Sequence, residues 1–262
     1  MSGGCGILCT IRNCASFLPK IFENFEKIGA TFADEYIIII YYDISTDNTL
    51  DLLKAYALKN RKVIFFVNKE TPLPVHRTHR IARGRNVVLE KFRSDFPYYN
   101  YFIVMDCDNV CAYNFKTGLL RECLHRKDWD MISFQHPQGY YDIYALSVFP
   151  YVMNCFLFRD ANMAKKSLMA QFNRMRKDDL AYVLSAFNGF GIYRTKKFTN
   201  CYYDGNARID YIPRTWLNAN VRAAGPTIQP AGAEDCEHRF FHISAFLKNK
   251  ARITVLPQCI FF

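Results

Sequence analysis

A pair of aspartates separated by one cysteine, Asp106-Cys107-Asp108, directly follows the apolar run Tyr101–Met105. The run predicts a buried strand, and ligands of open α/β sheets bind in the crevice beyond the carboxyl ends of the strands. Two adjacent carboxylates there repel each other unless a cation neutralises them, and hard oxygen ligands favour Mg²⁺ or Mn²⁺. A turn in which one aspartate is a cap and the other is solvated explains a bare Asp-x-Asp equally well.

The apolar segments before this pair alternate between strand and helix patterns. A strand at Gly6–Ile11 precedes an amphipathic helix whose apolar positions begin at Leu18. The run Tyr36–Tyr42 contains four consecutive isoleucines, as expected for a strand covered on both faces, and residues 45–47 offer caps to a second helix. A third strand at Val63–Val67 and a helix around 87–92 follow. This order predicts an α/β fold with a mostly parallel central sheet flanked by helices.

The second half of the chain is less regular. Its patterns predict strands at 131–134, 143–148 and 252–256, and helices at 161–175 and 235–247. The chain has no Pro/Gly/Ser-rich linker, no fixed-period repeat and no low-complexity tract. With 262 residues, half of them hydrophobic, it is long enough to bury the core of one compact unit.

The charge balance bears on the class of partner. Lys and Arg number 34 against 24 Asp and Glu, a formal net charge of +10 that attracts polyanions, acidic membrane surfaces and phosphorylated substrates. The basic residues are scattered rather than clustered on one stripe or helix, so we expect no nucleic-acid partner.

Cysteine content and the absence of targeting signals bear on location. The sequence starts without the basic segment and apolar core of a signal peptide, so its ten cysteines are expected to be reduced thiols. The longest apolar run, near Tyr36–Tyr42, is too short to cross a bilayer. We expect a soluble cytoplasmic protein without a transmembrane segment, and the charge leaves peripheral membrane contact open.

Five motifs in order resemble those of GT-A glycosyltransferases similar to family 2. The run Asp43-Ile44-Ser45-Thr46-Asp47-Asn48-Thr49 resembles the family's D-G-S-T-D-N-T, and Arg85-Asn86 its R-N. The Asp-x-Asp pair follows at the expected place, and the later segments 188–194 and 234–237 resemble the family's acceptor-side glycine segment and its E-D catalytic segment. Together the motifs span most of the chain. The segment 140–146 and the spacing of His238 and His242 are more loosely similar to enzymes of large DNA viruses and fungal capsule mannosyltransferases.

The resemblance implies a fold, an activity and a division of labour along the chain. It implies a single Rossmann-like GT-A domain over residues 1–262, with about 1–110 binding a nucleotide sugar and 111–262 binding the acceptor. The implied reaction moves a sugar from a nucleoside-diphosphate sugar, UDP-linked in preference to GDP-linked, to a hydroxyl of a glycan or glycoprotein. The implied cofactor is Mn²⁺ or Mg²⁺, and the implied stereochemistry is inversion.

The same resemblance implies roles for the residues that would bind the nucleotide-sugar donor. Asp108 is the expected metal ligand, and Asp106 either assists it or contacts the ribose or a metal-bound water. Asp43 is expected to accept from a nucleobase N–H, with a helix cap as its alternative role. Arg85 is expected to reach a phosphate or the nucleobase, with a solvated helix face as the alternative. The remaining donor-side residues are Thr10 and Arg12.

The acceptor side requires a general base and groups that orient a sugar. Asp235 is the expected base and Glu234 its alternate, although a carboxylate at a helix N-terminus also simply favours the helix dipole. His238 and His242 lie one turn apart on one predicted helix face, so either is a candidate third metal ligand, and packed or exposed histidines are the alternative. The resemblance places the acceptor near Asn188, Gly189 and Asp142.

One departure from the family pattern and two other functions remain to be weighed. Tyr42 stands where the family commonly has an acid, so we expect Tyr42 to stack on the nucleobase. A nucleotidyltransferase shares the fold class but would carry a Gly-rich phosphate loop after the first strand, whereas Gly3, Gly4 and Gly6 come too early. The other alternative is a catalytically silent module that binds sugar nucleotides.

Overall fold

A single sheet organises the chain. The structure is a computed structural model that describes residues 3–33, 35–69, 74–175, 180–227 and 234–262. The strands within these ranges are β1 (Cys5–Ile11), β2 (Tyr36–Tyr42), β3 (Val63–Val67), β4 (Tyr101–Met105), β5 (Met131–Gln135), β6 (Ala181–Val183), β7 (Phe190–Arg194) and β8 (Ile253–Cys259). Their order in the sheet is β3-β2-β1-β4-β7-β5-β8-β6.

Helices cover both faces of this sheet. They are α1 (Leu18–Thr31), α2 (Thr49–Lys59), α3 (Arg77–Asp95), α4 (Thr117–His125), α5 (Ala161–Met175), α6 (Arg214–Ala224) and α7 (Glu237–Asn249). β1 pairs in parallel with β2 and β4, β2 with β3 and β5 with β8, whereas β7 runs antiparallel to β4 and β5, and β6 antiparallel to β8. The predicted α/β fold with a mostly parallel sheet is confirmed.

The isoleucine-rich strand β2 divides its side chains between the two cores. Ile39 and Tyr41 belong to the core on one face of the sheet, and Ile40 and Tyr42 to the core on the other. Successive side chains of a strand point to opposite faces, so the continuous apolar run is what a strand covered on both sides requires. The same alternation separates Tyr41 from Tyr42.

Helix α3 packs closely on the carboxyl ends of β1 and β2 because Gly84 has no side chain. A Cβ atom at this position would lie 2.6 Å from Cδ1 of Tyr41 and 2.9 Å from Cγ2 of Thr10. Such distances are shorter than a van der Waals contact, so any larger residue would push the helix away. Gly84 thereby sets how deeply the next residue, Arg85, reaches toward the strand ends.

Two predicted elements differ from the structure. The strand predicted at 143–148 consists of turns, with isolated bridges from Ser147 to Ser185 and from Val148 to Tyr151. Its carbonyl groups are bound elsewhere, since the guanidinium of Arg239 donates to Leu146 O at 3.0 Å and also to Tyr144 O. The helix predicted at 235–247 begins two residues later, as α7, so the E-D segment precedes the helix instead of forming its first turn.

Cysteines and membrane-spanning potential complete the description. All ten cysteines are free thiols, and nine of them are buried, as small apolar side chains would be. Within the described residues, no helix combines the length and the apolar composition needed to cross a bilayer.

Candidate active site

A cavity of about 480 Å³ opens at the carboxyl ends of β1, β2 and β4. All six predicted donor-side residues line it: Thr10, Arg12, Asp43, Arg85, Asp106 and Asp108. Parallel strands end at the same edge of a sheet, which is why motifs far apart in sequence meet here. The cavity also contains Asp142 from the predicted acceptor side and Glu237 from the first turn of α7.

The Asp-x-Asp pair is held in an electrostatically strained setting. The backbone N–H of Asp106 donates to Gly189 O at 2.8 Å, and 31% of its side chain is exposed, toward the cavity. Burial raises the pKa of Asp106 to about 7, with the nearby charges of Asp108 and Asp142 adding to this effect and the charge of Arg85 opposing it. A cation bound here would relieve the repulsion among these carboxylates.

Arg85 supplies a positive charge between the carboxylates of Asp106 and Glu237. Its side chain is only 7% exposed, with Nη2 3.1 Å from Asp106 Oδ1 and Nε 3.0 Å from Glu237 Oε1, and the guanidinium lies 4.8 Å from the ring centre of Phe187. Burial lowers the pKa of Arg85, but Glu237 and Asp106 more than offset this, so the residue stays charged. Arg85 therefore ties α3, the Asp-x-Asp turn and α7 together, in place of the solvated helix face that was its alternative role.

Asp43 faces the opposite end of the cavity. It accepts from Nδ2 of Asn68 at 2.8 Å and from Ile44 N at 2.9 Å. The helix-cap alternative does not apply to it, because Asp47 is the residue whose carboxylate accepts from Thr49 N at the start of α2.

Tyr41, and not Tyr42, lines the cavity. The Tyr42 hydroxyl accepts from Ser45 N at 3.0 Å, and its ring is buried in the core on the other side of the sheet. The prediction that Tyr42 stacks on a nucleobase is therefore wrong. The sequence could have shown this, because successive side chains of β2 point to opposite faces of the sheet. Only every second side chain can face α3, and Tyr41 is in that set while Tyr42 is not.

Two further cationic residues of the cavity were missed by sequence reasoning. Arg77 and Arg80 line it together with Ile81. Arg77, Ile81 and Arg85 recur every four residues along α3, so they lie on one helix face. Extending the motif Arg85-Asn86 backwards along this face would have found them.

Asn188 and Gly189 build the cavity wall and are not among its described lining residues. The Asn188 amide oxygen accepts from Tyr141 N at 2.9 Å and from Asp142 N at 3.2 Å, and its Nδ2 donates to Phe134 O at 2.9 Å. The Asn188 amide is thus hydrogen-bonded within the protein, and its contact with an acceptor stays a prediction. A Cβ on Gly189, which has φ +86°, would lie 2.6 Å from Val110 Cγ1.

Both carboxylates of the E-D segment, Glu234 and Asp235, form hydrogen bonds within the protein. Asp235 is buried, pairs with Arg239 at 3.0 Å, and accepts from Asn154 Nδ2 at 2.9 Å. Burial raises the pKa of Asp235, and the Arg239 charge opposes that effect. Glu234 accepts from both Thr78 N and Thr78 Oγ1 at 2.8 Å. The structure brings neither carboxylate into the described lining of the cavity, where Glu237 and Asp142 lie instead.

Comparison with known proteins establishes the family. The model of the glycosyl transferase family 2 matches residues 7–198. The chain belongs to glycosyl transferase family 2. No curated protein sequence matches the chain.

Among solved structures, this family 2 chain is similar to S. aureus TarS 1-349 in complex with UDP. The identity is 13% and the TM-score is 0.54, and the match covers 98% of this chain and 59% of that one. The complex of the same TarS segment with UDP-GlcNAc has 14% identity and a TM-score of 0.51, covering 98% and 57%. At these identities the likeness shows the fold, and the chain spans less than two thirds of the TarS chains it matches.

The two histidines of the family 2 chain lie in different surroundings. His242 is buried between Ser185 Oγ, 3.1 Å from Nδ1, and the Tyr193 hydroxyl, 3.1 Å from Nε2. Both ring nitrogens therefore have protein partners in this structure, and a metal-ligand role for His242 stays a prediction. Burial lowers the pKa of His242 to about 3, so the ring is neutral.

His238 does line the cavity. Its ring stacks on Phe187 with centroids 3.8 Å apart, and within the described residues neither ring nitrogen has a hydrogen-bond partner. Burial, then the charge of Arg85, holds the pKa of His238 well below its ordinary value, which keeps the imidazole in the neutral form that binds metals.

The donor set fits a hard divalent cation only in part. Among the described residues, no cluster of three or more His, Cys, Asp or Glu side chains is arranged to hold a metal ion. Mg²⁺ and Mn²⁺ are commonly bound by one or two carboxylates together with water and substrate phosphates, so Asp106 and Asp108 suffice as the protein's share. Asp142, Glu237 and the unpartnered nitrogens of His238 also line the cavity, but within the described residues none of them completes a cluster of three with the pair.

Replacing His242 with phenylalanine tests its structural role. The change leaves the buried Ser185 and Tyr193 hydroxyls without their shared partner, so we expect a loss of about 2 to 4 kcal/mol in the free energy of unfolding. Urea denaturation measures this loss, and the effect of Mn²⁺ on the melting temperature should remain as in the unmodified chain. A stable variant that no longer responds to Mn²⁺ would restore His242 as a ligand.

Proposed function

We propose that this chain is a metal-dependent glycosyltransferase that moves a sugar from a nucleoside-diphosphate sugar to a hydroxyl of a glycan or glycoprotein. The observation that carries the proposal is the grouping of Asp43, Asp106, Asp108 and Asp142 in one cavity at the carboxyl ends of the strands of a family 2 chain. Ligand sites of open α/β sheets occupy this place.

The nucleoside fits the end of the cavity formed by β1 and β2. Asp43 offers a carboxylate that can accept from a base N–H, and Tyr41 contributes an aromatic side chain beside it. A uracil N–H is a partner of this kind, and the TarS structures of similar fold hold UDP and UDP-GlcNAc. A UDP-linked sugar is therefore the favoured donor.

The diphosphate is handled by Asp106, Asp108 and the arginines. Asp106 and Asp108 would hold a divalent ion, Mn²⁺ or Mg²⁺, with His238 as the candidate for a further donor, and the ion would neutralise charge on the departing diphosphate. Arg77 and Arg80 line the same cavity and supply additional positive charge for phosphate oxygens. Arg85 stays paired with Asp106 and Glu237 and orients the carboxylates.

Deprotonation of the acceptor hydroxyl is assigned to Asp142. A direct displacement inverts the anomeric configuration and needs one carboxylate base beside the sugar. Asp142 lines the cavity, and its enclosure, assisted by the charge of Glu237, raises the pKa to about 6, which strengthens it as a base while leaving it ionised at neutral pH. Asp235, the base predicted from the sequence, is paired with Arg239, and the two assignments are separable by mutation.

Thermal melting with a panel of nucleotide sugars tests the function. Mn²⁺ with a UDP-sugar at about 100 times its Kd should stabilise the fold by about 2.7 kcal/mol and raise the Tm by about 5 °C or more. Hydrolysis of the same donor, measured as the release of UDP, distinguishes an enzyme from a silent binding module. Absence of any shift with every nucleotide sugar, with and without metal, would refute the proposal.

A further inference from the structure

The side of the cavity away from the nucleoside end is built from residues 141–157, which we call the acceptor wall. Tyr141, Asp142 and Tyr144 of this wall line the cavity. The guanidinium of Arg239 on α7 supports the wall from behind, donating to Leu146 O at 3.0 Å and to Tyr144 O. The wall is thus irregular backbone held in one shape by a buried charged side chain.

A second support reaches the far end of the acceptor wall. Asp235 accepts from Asn154 Nδ2 at 2.9 Å, and Asn154 Oδ1 in turn accepts from Phe156 N at 3.0 Å. This chain of bonds fixes the short 3₁₀ turn Cys155–Leu157 relative to α7. The E-D aspartate therefore determines where the Phe156 side chain is presented.

Phe156 and Tyr144 form an aromatic pair, of which Tyr144 alone is among the described residues that line the cavity. Their ring centroids lie 6.0 Å apart with planes tilted by 49°. Tyr144 lines the cavity and its hydroxyl donates to Glu234 O at 3.2 Å, while Phe156 is 52% exposed. A half-exposed ring on a rigidly held turn contributes little to the stability of the core. Such a ring is available to contact a ligand.

We propose that Tyr144 and Phe156 form a subsite that stacks on the apolar face of a pyranose ring of the acceptor. The inference rests on the proposed function and names the acceptor as a carbohydrate, in contrast to a simple alcohol or a protein hydroxyl. The polar edge of such a ring has a partner in Asp142, two positions before Tyr144 on the same wall and inside the cavity. Aromatic faces combined with a few polar groups are the usual composition of small-ligand sites.

The chain supplies a matched control for the test. Phe149 belongs to the same wall and is 51% exposed, but its ring packs edge-on against Trp216, with centroids 6.2 Å apart. Phe149 is not among the described residues that line the cavity or contact Tyr144. Alanine at 149 therefore removes the same amount of exposed aromatic surface from the same segment without touching the proposed subsite.

The experiment measures transfer from the UDP-sugar that gives the fastest hydrolysis to methyl pyranosides and, separately, to glycerol. Phe156→Ala is expected to raise the KM for the best methyl pyranoside about 3- to 10-fold, the loss of one stacking contact, with the rate of donor hydrolysis and the KM for glycerol unchanged. Phe156→Trp should retain the low KM, and Phe149→Ala should behave as the unmodified chain.

The outcomes separate the subsite from the proposed function. Equal KM values for Phe156→Ala and Phe149→Ala, with donor hydrolysis intact, would overturn the subsite and leave the glycosyltransferase assignment standing. An equal rise for glycerol and for the pyranosides would also overturn it, since glycerol has no ring to stack. Failure of the unmodified chain to bind or hydrolyse any nucleotide sugar would instead remove the function on which the subsite rests.

Discussion

Asp108→Asn is expected to lower the rate of sugar transfer about 100-fold or more. Asp108 lines the cavity and is the metal ligand in the proposed function, and losing about 3 kcal/mol of stabilisation of the leaving diphosphate corresponds to a factor of this size. The variant should also lose the increase in Tm that Mn²⁺ and a UDP-sugar produce together. The folded structure should be unaffected, because the asparagine amide retains an oxygen that accepts from Val110 N, as Asp108 does at 3.0 Å.

Asp51→Asn is the matched control for this change. Asp51 lies on α2 with 81% of its side chain exposed, so removing its charge alters the net charge equally without altering the cavity. Unchanged transfer rates in Asp108→Asn, or equal losses in both variants, would show that the aspartate pair does not hold a catalytically required cation.

Asp142→Asn should strongly reduce transfer while preserving donor binding, whereas Asp235→Asn should mainly destabilise the fold. A missing general base costs about 10²- to 10⁴-fold in rate, whereas the Tm shift with donor depends on the other end of the cavity. Asp235→Asn leaves the buried Arg239 without its carboxylate and should destabilise the fold by about 3 kcal/mol or more, with residual turnover in the folded fraction. Chemical denaturation and transfer assays on both variants distinguish the two aspartates.

The pH dependence gives an independent measurement of the same assignment. A base must be deprotonated to act, and the pKa of Asp142 is about 6 because of its enclosure and the charge of Glu237. At saturating Mn²⁺, which would keep Asp106 ionised, transfer should therefore be constant above about pH 7 and fall roughly tenfold per pH unit well below pH 6. Residual transfer in Asp142→Asn should lack this acidic limb. A fully active Asp142→Asn together with an inactive but stable Asp235→Asn would return the role to Asp235.

Strands β1 to β5, strand β8 and the donor end of the cavity were predictable from local sequence, whereas β6 and β7 were not predicted. The length and β-branched composition of the apolar runs predict β2 and the strand before Asp106. The carboxyl ends of parallel strands lie at the same edge of the sheet whatever the details of side-chain packing. Thr10 is the penultimate residue of β1, and Asp43 and Asp108 follow the ends of β2 and β4, so their meeting required no knowledge of tertiary contacts.

The acceptor end was harder to predict because long-range contacts decide it. The strand expected at 143–148 has suitable residues, but Arg239 about ninety positions later binds its carbonyl groups. The spacing of His238 and His242 correctly places them one turn apart, yet only the packing of Ser185 and Tyr193 determines that His242 faces away from the cavity. Local patterns give periodicity, and they do not give the rotation of a helix about its axis.

Gly189 has a consequence for how this protein can change. Its carbonyl oxygen receives the Asp106 N–H, and the space beside its α-carbon is filled by Val110 and the Tyr141 hydroxyl. The Asp-x-Asp turn and the acceptor wall thus share one backbone position that admits no side chain. New acceptor preferences can therefore arise only through substitutions that keep this point fixed, and the exposed ring of Phe156, at the far end of the wall, is the kind of position where such drift is tolerated.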